Sequence, residues 1–107
     1  MAEVELLARK QLALGRMLEL TDLMLGGAKE QRWESISELQ NLRDRLIHDF
    51  FAEETVVDEV RIAESIEYII ESDKQLATLV REERNLLQQQ IQKMNKGKSA
   101  VKAYATE

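Results

Sequence analysis

Asp73 and Arg43 are the residues whose positions demand most of their surroundings. Asp73 lies between Ile70 and Ala77 in an apolar stripe spaced for a helix. Arg43 interrupts the stripe Trp33, Ile36, Leu39, Leu42, Leu46, Ile47, Phe50 in the same way. A carboxylate on a buried face without a partner is costly, because the charge loses its hydration and gains nothing in return. Asp73 is therefore expected to face a donor such as Arg43, the pair acting as a structural contact that fixes helix register. A stripe open to solvent at that point, or a donor from a partner protein, would also satisfy it. No other grouping has the pattern of a reactive centre. His48 is the only histidine, and without a cysteine or a Ser–Asp grouping it reads as an exposed or boundary side chain, not a general base. A di-iron site in a bundle needs Glu-x-x-His on two helices, whereas the position three before His48 is Arg45. Gly26-Gly27 has no Lys-Ser/Thr after it and no strand before it, so it does not read as a phosphate loop. No catalytic residue, metal or cofactor is expected.

These residues must be held by helices. A third of the 107 residues are charged, proline is absent, and Leu, Glu, Gln, Ala, Arg and Lys dominate, which is the composition of packed or coiled helices. The net charge of −5 is uneven, with ten acids against three bases from Glu53 to Glu83 and then Lys93, Lys96, Lys98 and Lys102 without an acid among them. A nucleic-acid surface needs bases gathered on one face, so both runs read as solvated helix faces and no direct nucleic-acid contact is expected. Tyr68 and the pair Phe50-Phe51 make no stacking platform. With no cysteine, disulfides and thiolate metal sites are excluded. No window approaches eighteen apolar residues, and charges are spread through the first ten positions. Neither a signal peptide nor a membrane span is expected, and the location expected is the cytosol.

The longest element is predicted from about Val57 to Met94, where Val60, Ala63, Ile66, Ile70, Ala77, Val80, Leu87, Ile91 and Met94 step by threes and fours. Before it, a helix from about Glu3 to Leu25 presents two adjoining apolar lines, Leu7, Leu14, Leu18, Leu25 and Leu6, Ala13, Met17, Leu20, Met24. Gly15 inside it is expected to mark close helix packing, and Gly26-Gly27 to stop it. A second helix is predicted from Lys29 or Glu30 to about Phe51, opened by Trp33 as an anchor packed against its neighbours. A break at Ala52 to Thr55 follows, with Thr55 capping the third helix and Asp58 three positions on. Short loops imply antiparallel neighbours. The fold class expected is all-α, an antiparallel helical bundle of three long helices plus a short C-terminal helix. The single domain 1–107 then divides into a helical core, 1–97, and a mobile segment, 98–107. Two helices of about 22 residues, at about 1.5 Å per residue, cover only part of the third. The tail after Gly97 is the expected cover for the rest.

Trp33-x-x-Ile36-x-x-Leu39-x-x-Leu42-x-x-x-Leu46, then Ile66-x-x-Ile69-x-x-x-Asp73-x-x-Leu76-x-x-Leu79 followed by Arg84-x-x-Leu87, and a tail ending Ala100-x-x-Ala103-Tyr104 resemble the FliT family of flagellar export chaperones. Leu18 to Leu20 on the first helix fit it as well. Gly26-Gly27 lies further upstream of Trp33 than the family's glycine, which implies a longer turn. The resemblance implies a small cytoplasmic helical chaperone. It would bind the C-terminal amphipathic helix of the filament-cap protein FliD, keep it from assembling early and deliver it to the export apparatus, its ATPase complex and export gate. Some members also restrain the flagellar master transcription regulator, and a homodimer is open. The partner-binding residues expected are Leu76, Leu79, Val80, Leu86, Leu87 and Ile91. Val101 and Tyr104 are expected to occupy the same groove as a regulatory tail, so that removing residues 98 to 107 raises client affinity. Two other classes stay open. One is a small helical enzyme of chorismate-mutase type using Arg43, Arg81 and Arg84, although the polar cluster it needs is not evident in the stripes. The other is a coiled-coil adaptor that oligomerises without a client.

Overall fold

The computed structural model describes residues 2–53 and 58–105, with side chains from 4 to 102 within those spans. The element order is α1 (Ala2–Lys29), α2 (Ile36–Ala52) and α3 (Glu59–Ala105), and there is no strand among the described residues. The buried side chains of α1 include Lys10, Leu14, Met17, Thr21, Met24 and Ala28, joined by Leu20. Their alternating steps of four and three form a seam that runs between the two apolar lines read from the sequence. The core gathers Leu14 and Met17 from α1, Phe50 from α2 and Ile69 from α3, with Leu7, Leu18, Leu46, Ile47 and Ile62 packed at its edge. Along α1, Arg9, Lys10 and Thr21 meet Glu53, Phe50 and Arg43 in turn. Rising numbers on one helix meet falling numbers on the other, so α1 and α2 run antiparallel.

The helix ends depart from the sequence expectation. Gly26 and Gly27 do not stop α1; both are helical, and the helix closes at Lys29. A helical glycine costs about 1 kcal/mol against alanine. The extra turn offsets this by continuing the seam from Met24 to Ala28, both buried. The stop is made by Gln31, in the left-handed region at φ 62°. Its N–H donates to the Ala28 carbonyl at 3.1 Å, and the Arg32 N–H donates to that of Gly27 at 2.7 Å, the two bonds of a Schellman closure. Because that reversal comes first, α2 begins at Ile36 and not at Lys29 or Glu30, and Trp33 lies in the connection, half-buried. A side chain other than glycine pays about 1 kcal/mol or more in the left-handed region. Gln31→Gly is therefore expected to raise unfolding free energy by about 0.5–1 kcal/mol, less than the full strain because glycine also frees the unfolded chain. A urea titration showing a loss would mean that Gln31 makes a compensating contact.

Gly15 does not mark close helix packing either, since a methyl group there would meet nothing within 4 Å. Thr55 lies outside the described residues. Asp58 itself caps α3, its carboxylate accepting the Val60 N–H at 2.9 Å and its carbonyl the Ile62 N–H at 3.1 Å. That starts the helix at Glu59 and gives Asp58 the capping role expected of Thr55. At its other end α3 continues through Gly97 to Ala105, so residues 98–105 are not a separate short helix. One glycine costs less than nucleating a new two-turn helix, and Gln92, Lys93, Lys96 and Ala100 around it favour continuation. The chain divides into two compact units, 1–77, which holds the core, and 78–107.

Candidate functional site

The first unit carries a polar node. Arg43 is on the buried face of α2, its side chain 4% exposed. Its Nη1 donates to Asp73 Oδ1 at 2.7 Å and its Nη2 to Oδ2 at 3.0 Å. The two parallel bonds match the planar fork to the carboxylate. Nη1 also reaches Thr21 Oγ1 at 3.3 Å, and Nη2 reaches Asp44 Oδ1 at 3.4 Å. Thr21 in turn donates to the Met17 carbonyl one turn back, at 2.8 Å. Side chains from α1, α2 and α3 thus converge on one guanidinium. Its Nε is buried without a hydrogen bond among the described residues. Through these bonds the node ties α1, α2 and α3 together.

Two members of this buried polar set were not singled out from the sequence. Lys10 donates to the Phe50 carbonyl and stands 4.6 Å over that residue's ring centroid. The carbonyl belongs to the last turn of α2, where it has no partner within the helix, and a cation suits that end. Thr21 is the other. The only signal for either was their place in the seam, at steps of three and four from Leu14, Met17 and Met24. Ser65 and Ser72 are buried on α3, Ser65 bonding back to the Arg61 carbonyl at 2.8 Å. Tyr68 donates to Asp22, which holds its hydroxyl pKa above the usual 10, first through that bond and then because a phenolate would face the carboxylate. His48 is exposed, 3.6 Å from Asp49. No group of three potential metal ligands occurs among the described residues.

The expected partner-binding residues all fall on α3. Leu76, in the first unit, is half-buried. In the second, Leu79 is half-buried, while Val80, Leu86, Leu87 and Ile91 are exposed, the last three by 53%, 49% and 55%. Met94 and Val101 are exposed with them, by 61% and 69%. At about 100° per residue, Leu87, Ile91, Met94 and Val101 share an arc of roughly 80°. Val101 lies in the same helix and is open to solvent. Tyr104 belongs to the helical backbone of α3, and its side chain lies outside the described residues.

A family model described as flagellar protein FliT matches residues 13–106. The chain belongs to the FliT family. That match takes in most of α1 and all of α2 and α3, so the FliT region contains both the polar node and the open strip. The chain matches no curated protein and no solved structure. No helix among the described residues is long and apolar enough to cross a membrane.

Proposed function

We propose that the chain is a cytosolic flagellar export chaperone that receives the C-terminal amphipathic helix of the filament-cap protein FliD, prevents early assembly and passes it to the ATPase complex and gate of the export apparatus. Membership of the FliT family, a family of flagellar chaperones and not of enzymes, supports this reading. The observation that carries it is the open run Leu86, Leu87, Ile91, Met94. Helix-in-groove recognition uses anchors at steps of three, four and seven, and Leu87, Ile91 and Met94 supply them. Leu76, Leu79 and Val80 belong to the same expected set on α3. The flagellar master transcription regulator and a second copy of the chain are further partners on this reading.

Co-expression with the C-terminal segment of the cap protein from the same source tests it, with light scattering of the product. A one-to-one complex is expected, and Leu87→Asp with Ile91→Asp is expected to weaken it at least tenfold, on the order of the loss for truncated interface anchors. No complex, together with an obligate oligomer of the free chain, would favour the adaptor instead. Because Val101 extends the strip in this conformation, deleting residues 98–107 is expected to lower client affinity several-fold in calorimetry. A rise would return the tail to the gating role implied by the family resemblance.

A further inference from the structure

We propose that the partner helix taken by α3 carries carboxylates along one side of its apolar stripe. This inference rests on the chaperone reading and names the chemistry of its client. From Arg84 to Lys102 the helix has five basic residues and no acidic one. Their placement around the helix is uneven. Setting Leu87 as origin and turning about 100° per residue, Ile91 lies near +40°, Met94 near −20° and Val101 near −40°. Lys98 falls at about +20°, between Leu87 and Ile91, and Arg84 at about +60°, just beyond Ile91, whereas the other side has Glu83 at about −40°, beside Val101, and Gln90 at about −60°. Lys93 and Lys96 point away from the strip, more than about 100° from its centre. This asymmetry exists because α3 is continuous through Gly97. A break there would have removed Lys98 from the register of Leu87 and Ile91.

Arg84 and Lys98 are exposed and make no ion pair among the described residues. Their aliphatic stems can lie along the apolar strip while the charged heads reach its edge. A partner helix seated on Leu87, Ile91 and Met94 would bring one flank under those heads and the other beside Glu83. Carboxylates spaced by three or four residues on the first flank complement the cations, and lysines there would be repelled. Such charges act on orientation and partner choice more than on total affinity.

Calorimetry on the full chain tests this with three probes, namely the cap-protein C-terminal segment and two synthetic amphipathic helical peptides that share one leucine stripe. One peptide has glutamates along one edge and the other has lysines there. The glutamate peptide is expected to bind at least about tenfold more tightly, with the preference shrinking between about 50 and 300 mM salt. Arg84→Glu with Lys98→Glu is expected to abolish the preference. Lys93→Glu with Lys96→Glu, an equal change of charge on the back of the helix, is expected to leave affinity within about twofold. Arg84→Gln with Lys98→Gln provides a milder variant whose helicity is checked by circular dichroism, with an intermediate loss expected. Equal losses from edge and back variants, or equal affinities of the two peptides, would overturn the proposal. So would binding of anionic phospholipid vesicles without any peptide preference, which would assign the cations to a lipid surface. If the glutamate peptide is preferred while the cap-protein segment does not bind, the cationic edge stands and the choice of client falls.

Discussion

Phe50→Ala is expected to cost about 3–5 kcal/mol of unfolding free energy, and Phe51→Ala less than about 1 kcal/mol. The two rings touch edge to face, centroids 5.0 Å apart and planes at 79°, yet they stand on different sides of α2. Phe50 is 2% exposed and packs with Leu14, Met17 and Ile69. Phe51, about 100° further round the helix, is 52% exposed. Removing the Phe50 ring opens a cavity that the surrounding side chains fill only in part, and it takes away the face beneath the Lys10 ammonium. A small domain has about 5–15 kcal/mol in total, so the variant is left near its unfolding threshold. Urea denaturation of both variants is the measurement. Equal losses would mean that Phe51 is also core and that the buried face of α2 is centred elsewhere.

The Arg43 node is expected to respond asymmetrically. Asp73→Ala leaves a guanidinium buried at 4% exposure with only Thr21 and the longer Asp44 contact. It is expected to cost about 2–4 kcal/mol, the loss of breaking a buried pair from one side, reduced because Asp73 is itself 41% exposed. Arg43→Met removes the buried charge and keeps most of the side-chain volume, while the Asp73 carboxylate is free to hydrate. Its cost is expected below about 1.5 kcal/mol. The double variant should match Arg43→Met alone, since once the guanidinium is gone the carboxylate has nothing left to compensate. Denaturant midpoints for the three proteins decide it. An Asp73→Ala loss smaller than that of Arg43→Met would show that Arg43 acts through the packing of its stem, with the ion pair contributing little.

Much of this was legible in the residues because it depends on local pattern. Apolar steps of three and four over long spans, without proline, yield helices whatever surrounds them, so the all-α class and the existence of three long elements follow from the chain alone. Opposite charges interrupting two stripes made Arg43 and Asp73 the expected pair, and the two parallel hydrogen bonds between them supply it. The motif order from Trp33 to Tyr104 was sufficient to suggest the family that the model match over residues 13–106 establishes.

Other features depended on energies that local pattern does not contain. Whether Gly27 ends a helix or sits inside one turned on the burial of Ala28 one residue later, and the stop passed to Gln31, a residue with no intrinsic preference for a left-handed turn. Lys10 and Thr21 entered the seam because a carbonyl at the end of α2 and the Arg43 guanidinium were there to meet them, partners 40 and 22 residues away in the chain. Asp58 caps the third helix through its carboxylate and its carbonyl. At Gly97 the sequence allowed either a break or a continuation, and continuing one helix cost less than starting another. That choice put Lys98 and Val101 in register with Leu87 and Ile91. Spacing along one chain was enough for the helices and the family, and it made Arg43 and Asp73 the expected pair. Where the helices end and which polar groups are buried rest on contacts made far along the chain, and the register of Lys98 with the strip rests on the lower cost of continuing a helix than of starting one.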